Sequence, residues 1–127
     1  MSVRVDLDRL AGTLDDFTFA YLVTVGADHH AHTVAVDPTL SEGVIDVGPV
    51  GGHTRANVAL HDTVTLIWPP GQRGGYTLIV DGRARLGETD ATFQVVPGRA
   101  VLHRRATPDS PPSATGCVDD CVPLDNR

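Results

Sequence analysis

Lysine is absent from this chain of 127 residues, so its ten basic side chains other than histidine are all arginines. Without a lysine ε-amino group, the protein cannot form a Schiff base with pyridoxal phosphate or with a carbonyl substrate. Aspartate and glutamate together number 16, which gives a formal net charge of −6. Because nucleic-acid binding depends on clustered basic side chains, no nucleic-acid partner is expected.

Long apolar runs and cysteines are also scarce. No stretch approaches the ~18 apolar residues of a membrane helix, and the first residues contain no apolar segment of the signal-peptide type. The two cysteines, Cys117 and Cys121, both lie near the C-terminus, so no disulfide framework holds a core. We therefore expect a soluble cytoplasmic protein with no membrane partner, built around a single core.

Hydrophobic periodicity in the first half of the chain predicts one helix followed by three strands. The apolar residues of segment 6–16 recur at helical spacing, and Asp6 or Asp8 is available as the N-cap. Segments 18–26 and 30–36 are typical of two strands that form a hairpin. Segment 37–43 is predicted to be a loop because of its proline, glycine and polar content, and segment 44–47 a third strand.

The second half of the chain predicts three more strands and then an irregular tail. The strands cover segments 63–68, 76–87 and 92–103, with a bend or bulge at Gly82 and an interruption at Pro97 and Gly98. From residue 104 onward the sequence is rich in proline and has no period. The prediction is therefore a mainly β, six-stranded antiparallel barrel with short helices over residues 1–103, followed by a C-terminal tail over residues 104–127.

The segment between the third and fourth strands contains the best candidate site. Gly51 and Gly52 lead into a predicted helix that starts at Thr54 as N-cap, with Asn57 three positions later in a capping box. His53 and Arg55 lie beside this start. Backbone N–H groups, the positive end of the helix dipole and a guanidinium would converge there, which favours an anion such as a phosphate.

Three sequence blocks resemble, in the same order, the pyridoxamine 5′-phosphate oxidase-like family of split-barrel flavoproteins. The blocks are A-Y-L-V-T-V-G-A-D-H-H-A-H-T-V-A-V, V-G-P-V-G-G-H-T-R-A-N-V-A-L-H-D-T-V-T-L-I-W-P-P and Y-T-L-I-V-D-G-R-A-R-L. The resemblance covers about two thirds of the chain. It implies a six-stranded split barrel that forms a homodimer, with FMN or the deazaflavin F420 bound at the dimer interface.

The cofactor-binding positions of that family can be matched one by one to this sequence. The matched positions that we predict to contact the cofactor are Gly52, His53, Thr54, Arg55, Asn57 and Thr77. His53-Thr54 stands where the family usually has an arginine-lysine pair, Gly48-Pro49 where threonine-asparagine is common, and Thr77 where a glutamine is frequent. The substrate-phosphate residues of the true oxidase have no counterpart, which argues against oxidation of pyridoxamine phosphate.

Several other polar and aromatic residues have more than one interpretation. His30 and His32 share one strand face, but without a third ligand they predict no metal site and are expected to line the barrel mouth or the dimer interface. Trp68 and Tyr76 either close the core or stack on a ring system. For Cys117 and Cys121, with their C-x₃-C spacing, inert thiols, a redox pair and a metal site that includes His103 all remain open.

The function predicted by the resemblance is an FMN- or F420-dependent oxidoreductase with a small-molecule substrate. No catalytic residue is assigned, because in such enzymes the cofactor carries the hydride chemistry and the protein positions it. The alternative is a non-catalytic split barrel that binds a flavin, haem or another planar ligand, or a member whose cofactor site has degenerated. The absence of lysine from the loop and the presence of Gly48-Pro49 favour that alternative.

Overall fold

The computed structural model describes residues 5–89, 92–106 and 119–125 of the chain. Within these residues there are two short helices and eight strands. In chain order they are α1 (Leu7–Leu14), β1 (Ala20–Val25), β2 (Ala31–Val36), β3 (Thr39–Ser41), β4 (Val44–Asp46), α2 (Gly52–Leu60), β5 (Thr63–Trp68), β6 (Thr77–Leu86), β7 (Phe93–Arg105) and β8 (Asp119–Pro123).

The strands form one curled antiparallel sheet with the neighbour order β2-β1-β5-β6-β7-β4-β3. One edge of β7 pairs with β6, while its other edge pairs with β4 near its start and with β8 near its end. The predicted β1–β2 hairpin is present. The predicted class, a mainly β antiparallel barrel with short helices, is therefore confirmed, but the described residues form eight strands where six were predicted.

A bulge bends the long β6–β7 pair. The register slips at Gly82, which pairs with Pro97, so that Gly98 has no partner in the ladder. A Cβ atom on Gly82 would collide with the carbonyl oxygen of Val96, so only glycine fits this position. The bend predicted at Gly82 is confirmed, and the interruption predicted at Pro97 and Gly98 is this bulge inside a continuous β7.

The hydrophobic core lies on one face of the sheet, because apolar side chains alternate along the strands. One row of directly paired residues crosses four strands and is fully or almost fully buried: Leu22, Leu66, Val80 and Ala100. Leu10 of α1 and Val58 of α2 pack against the same cluster. Trp68 is also buried there, which supports its interpretation as a core residue.

Helix α1 begins where the sequence predicts. The Asp6 carboxylate accepts hydrogen bonds from the backbone N–H groups of Asp8 and Arg9, each at 3.1 Å. Such a cap stabilises a helix by about 1 kcal/mol relative to alanine. In the part of the chain that the structure describes, neither helix has the length and apolar character needed to cross a membrane.

Strand β3 lies in the segment that was predicted to be a loop. It pairs with β4 through a tight turn in which Glu42 and Gly43 both have positive φ, 53° and 79°. Turns of this conformation match the twist of two adjacent antiparallel strands. The prediction is wrong here because three residues are too few to show an alternating pattern and Pro38 precedes them.

Strand β8 lies in the segment that was predicted to be an irregular tail. It pairs with the end of β7, where Arg105 lies opposite Asp119. Just beyond β8, Leu124 is buried in the core and its backbone N–H donates to the carbonyl oxygen of Ala100 at 2.9 Å. The tail prediction is wrong for this segment. The segment becomes a strand by pairing with β7, which lies earlier in the chain, and not because of any local sequence pattern.

Contacts among three side chains stabilise the pairing of β8 with the sheet. Asp120, with 7% of its side chain exposed, accepts hydrogen bonds from the Tyr76 hydroxyl and the Arg104 Nε, both at 2.8 Å. The Arg104 guanidinium lies 4.3 Å from the centroid of the Tyr76 ring. The hydrogen bonds from Tyr76 and Arg104 lower the pKa of Asp120, and the bond to Asp120 raises the pKa of Tyr76.

We expect Asp120→Asn to destabilise the protein near pH 7 and to have a smaller effect in acid. A carboxylate whose pKa is lower in the folded than in the unfolded state contributes fully above the unfolded value of about 3.9. That contribution is lost as the pH falls through the folded pKa. Urea unfolding at several pH values should therefore show the free energies of unfolding of the two proteins converging below about pH 4.

The control is Asp37→Asn, which removes an exposed carboxylate between β2 and β3. Its free energy of unfolding should stay close to that of the wild type near pH 7. A difference between Asp120→Asn and the wild type that persists undiminished to about pH 3 would contradict the assigned role of this carboxylate.

Candidate functional site

The N-terminal turn of α2 is the centre of the candidate site. Gly51 is the N-cap, with φ −73° and ψ 167°, and no side chain caps this end of the helix. The Arg55 backbone N–H donates to the Gly51 carbonyl oxygen at 3.1 Å. The prediction of Thr54 as N-cap is therefore wrong. The N–H groups of Gly52, His53 and Thr54 precede that bond and have no intrahelical partner.

The backbone of this loop is accessible. A Cβ atom built on Gly51 or Gly52 would meet no heavy atom within 4 Å, and both glycines are exposed. An anion could therefore reach the N–H groups at the positive end of the helix dipole. Exposed His53 and half-buried Arg55 lie on the same turn.

Two of the predicted cofactor residues point into the protein instead. Thr54 is 1% exposed and Asn57 is 4% exposed. The Asn57 side-chain amide donates to the hydroxyl of Thr24, itself fully buried on β1, at 3.1 Å. Thr54 and Asn57 are three positions apart and so lie on the same face of α2. The Asn57 hydrogen bond joins the helix to the sheet, and the burial of both side chains leaves Gly52, His53 and Arg55 to contact a ligand.

A second histidine lies against this turn. The imidazole rings of His32 on β2 and His53 are stacked, with centroids 4.3 Å apart and planes 14° apart. His30, which shares a strand face with His32, instead contacts Asp28 through Nδ1 at 3.1 Å. Among the described residues, no group of three or more His, Cys, Asp or Glu side chains is arranged to hold a metal ion.

Thr77 lies away from the other predicted cofactor residues of the same chain. Helix α2 contacts β1 at Thr24, and the cross-strand row next to that residue reaches β6 at Asp81. Thr77 is four residues from Asp81, roughly 13 Å along the strand. It lines a separate open cavity of about 480 Å³ with His103 and Arg104. The six predicted residues therefore do not form one cluster within a chain.

Cys121 and His103 lie at the β8 end of the molecule. Cys121 is exposed on β8 and pairs with His103 in the β7–β8 register, while the His103 Nε2 is 3.2 Å from an oxygen of Asp119. Cys117 lies outside the described residues. The three interpretations of this cysteine pair therefore stay predictions.

No local sequence pattern indicates the Thr24–Asn57 hydrogen bond or the His32–His53 stack directly. Each contact joins two elements that are remote in sequence; Thr24 and Asn57, for example, are 33 positions apart. One indirect signal existed, because a hydroxyl inside the apolar strand Y-L-V-T-V needs a buried partner. That signal predicts that Thr24 has a partner but does not identify it.

Solved structures with the same fold are split barrels. A Listeria innocua protein provisionally named a pyridoxamine 5′-phosphate oxidase has a TM-score of 0.62 and 15% identity, over 75% of this chain and 95% of that one. HupZ from Group A Streptococcus has a TM-score of 0.60 and 14% identity, over 75% and 91% of the two chains. An F420 reductase has a TM-score of 0.53 and 13% identity, over 68% and 90%. The predicted split-barrel fold is confirmed.

Sequence comparison identifies relatives at much higher identity. Uncharacterized proteins from Mycobacterium bovis and Mycobacterium tuberculosis are each 53% identical to this chain, over 94% of its length and 94% of theirs. The chain therefore belongs to the family of these mycobacterial proteins. No protein-family model matches it.

We expect Asn57→Ala to lower the free energy of unfolding by about 1–3 kcal/mol, because the Thr24 hydroxyl then remains buried without its donor. Urea unfolding measures the loss. The double variant Thr24→Val, Asn57→Ala removes both polar groups and should be less destabilised than the sum of the two single changes. Strictly additive losses would show that the hydrogen bond does not couple these residues.

Proposed function

We propose that the protein is a homodimeric, cytoplasmic oxidoreductase that binds FMN or F420 and acts on a small-molecule substrate. The observation that carries this proposal is the accessible N-terminus of α2, capped only by glycine backbone, on a split-barrel sheet. An F420 reductase and a Listeria innocua protein provisionally named a pyridoxamine 5′-phosphate oxidase have the same fold. The bound cofactor would supply the hydride chemistry, while this chain holds and orients it.

The first turn of α2 fits the phosphate group that FMN and F420 both carry. The exposed glycines let a phosphate oxygen approach the N–H groups of Gly52 and His53. The helix dipole favours negative charge at this end. The Arg55 guanidinium would add charge-assisted hydrogen bonds to the phosphate.

Oxidation of pyridoxamine phosphate is not part of the proposal. The arginine-lysine pair of the resembling family is replaced by His53 and Thr54, and Thr54 is buried. A chain without lysine cannot rebuild that pair from elsewhere in its sequence. We therefore propose the substrate only as a small molecule.

A second copy of the chain is the proposed partner, because the outer face of the sheet carries an apolar row that the described residues leave partly exposed. Tyr21, Ile67 and Ile79 pair directly across β1, β5 and β6 on the face opposite the core, and Tyr21 is 38% exposed. The next row is polar on β5 and β6, where the Thr65 hydroxyl donates to Asp81 at 2.6 Å. A two-fold copy would bury the apolar row and could bring its own residues to a cofactor at the interface.

A second candidate is a non-catalytic split barrel that binds a flavin, haem or another planar ligand. The observation that favours it is the burial of Thr54 and Asn57, which leaves fewer side chains to hold a cofactor phosphate. The absorption spectrum of the purified protein, followed by titration with FMN, F420 and haem, separates the ligands. Turnover of the bound cofactor with a reductant and an acceptor separates an oxidoreductase from a binding protein.

We expect Arg55→Ala to weaken FMN binding by about one to two orders of magnitude, because a charge-assisted hydrogen bond is worth roughly 1.5–3 kcal/mol. Arg55→Lys should recover only part of the affinity, since an ammonium lacks the forked geometry of a guanidinium. Fluorescence titration measures each dissociation constant.

Riboflavin, which lacks the phosphate, is the control ligand, and its affinity should hardly change in Arg55→Ala. Arg73→Ala, which removes an exposed arginine between β5 and β6, is the control variant and should bind FMN like the wild type. Equal losses for FMN and riboflavin would show that Arg55 acts through folding. Unchanged FMN binding in Arg55→Ala would remove the phosphate site from this turn.

Light scattering at micromolar concentration should give the mass of two 13.4 kDa chains. Ile67→Glu places a charge within the apolar row and should shift the protein to the monomer, because an unpaired charge cannot be buried at an interface without a large cost. Leu86→Glu, at an exposed position near the far end of β6, should leave the dimer intact. A wild-type protein that is monomeric would refute the proposed partner.

A further inference from the structure

An open cavity of about 330 Å³ lies between the C-terminal end of α1 and the loop that joins β5 to β6. Its volume is at the lower end of the range for small-molecule pockets in proteins. The lining includes apolar, aromatic and acidic side chains: Thr13, Asp16, Phe17, Pro70, Tyr76 and Leu102.

This cavity is separate from the N-terminus of α2 in the same chain. Helix α2 contacts β1 at Thr24, and the cross-strand row next to that residue reaches β6 at Asp81. Tyr76 is five residues from Asp81, roughly 16 Å along the chain. Leu102 and His103 are consecutive in β7, so the cavity at Leu102 and the cavity at His103 lie on opposite faces of the sheet.

Aromatic and aliphatic side chains form the apolar part of the lining. Phe17, Pro70, Tyr76 and Leu102 are all half-buried, so each leaves part of its surface accessible. Phe17 and Leu102 also pack against the hydrophobic core, which fixes their positions. Such a surface favours a ligand with an apolar body.

The hydroxyl groups of two lining residues already donate their protons within the chain. The Thr13 hydroxyl donates to the Arg9 carbonyl oxygen at 2.8 Å, and the Tyr76 hydroxyl donates to the Asp120 carboxylate at 2.8 Å. Both hydroxyl oxygens can therefore act only as acceptors toward a ligand. An acceptor suits a ligand that brings its own donors.

Asp16 supplies negative charge to the cavity. None of the ion pairs and side-chain hydrogen bonds among the described residues involves its carboxylate. It follows the C-terminal end of α1, where the helix dipole is negative. The Arg104 guanidinium, 4.3 Å from the Tyr76 ring centroid, is balanced by Asp120 at 2.8 Å, and Arg73 in the β5–β6 loop is exposed to solvent. The cavity is therefore electrostatically matched to a cation.

We propose that this cavity binds a small organic cation, an ammonium group on an apolar body. The ammonium group contacts the Asp16 carboxylate and the Thr13 hydroxyl oxygen, because it carries three donors and no acceptor. The apolar body packs against Phe17, Pro70 and Leu102. A ligand with a carboxylate in place of the ammonium group is repelled by Asp16. The site does not rest on the function proposed for the N-terminus of α2.

Three probes of similar size and different charge test the proposal: 2-phenylethylammonium, 2-phenylethanol and 3-phenylpropionate. Titration up to about 20 mM, followed by the backbone amide signals in nuclear magnetic resonance, should give millimolar dissociation constants. The signals of Asp16, Phe17 and Gly75 should shift most. The cation should bind about three- to fivefold more tightly than the alcohol, because an exposed ion pair contributes modestly, and the carboxylate should bind most weakly.

Asp16→Asn removes the charge at an exposed position and should weaken binding of the cation about three- to fivefold, with no change for the alcohol. Asp15→Asn, which removes the exposed carboxylate one position earlier, is the matched control and should bind all three probes like the wild type. Raising the salt concentration from about 50 to about 500 mM should reduce the preference of the wild type for the cation.

Four results would overturn the proposal. They are no shift with the cation, largest shifts at residues remote from the cavity, equal affinity for the cation and the alcohol, and an equal loss in Asp16→Asn and Asp15→Asn. The amide spectrum of each variant also reports on its fold, so a loss caused by unfolding is recognised directly.

Discussion

The bent β6–β7 pair is the constraint on which the rest of the molecule depends. At Gly82 the Val96 carbonyl oxygen occupies the space that a side chain would need, and the resulting bulge curls both strands. A single 13-residue strand, β7, can then pair with β4 near its start and with β8 near its end. The curl that encloses the core and the surface of β1 on which α2 packs both belong to this one continuous sheet.

The parts of the fold that the sequence predicts well are those set by local patterns. Alternating apolar residues define the β1–β2 hairpin and β5, the Asp6 side chain marks the start of α1, and Gly82 marks the bend. The parts that were missed depend on remote partners. Strand β8 forms because β7 has an edge for it to pair with and because the Tyr76 hydroxyl and the Arg104 guanidinium donate hydrogen bonds to the Asp120 carboxylate. None of these conditions can be read from residues 119–123 alone.

The candidate site shows the same division. The glycine loop and the exposure of His53 follow from local sequence, because two glycines and a polar residue form the start of α2. Threonine and glycine are about equally favourable N-caps by intrinsic preference, and tertiary packing decides between them, because it buries Thr54 and places the helix start at Gly51. Thr77 was grouped with the loop by resemblance alone. Only the sheet register shows that Thr77 lies roughly 13 Å along β6 from Asp81, which is in the row next to the contact with α2.

The glycine at the start of α2 implies a local compromise between stability and reactivity. The backbone of Gly51 already has the conformation that serine or aspartate adopts as an N-cap, and the space around its missing Cβ is open. Either residue would fit there, satisfy the first N–H groups of the helix and stabilise it by a few tenths of a kcal/mol. It would also place an oxygen where an incoming anion has to bind. Glycine gives up that small stabilisation and leaves these donors open to solvent.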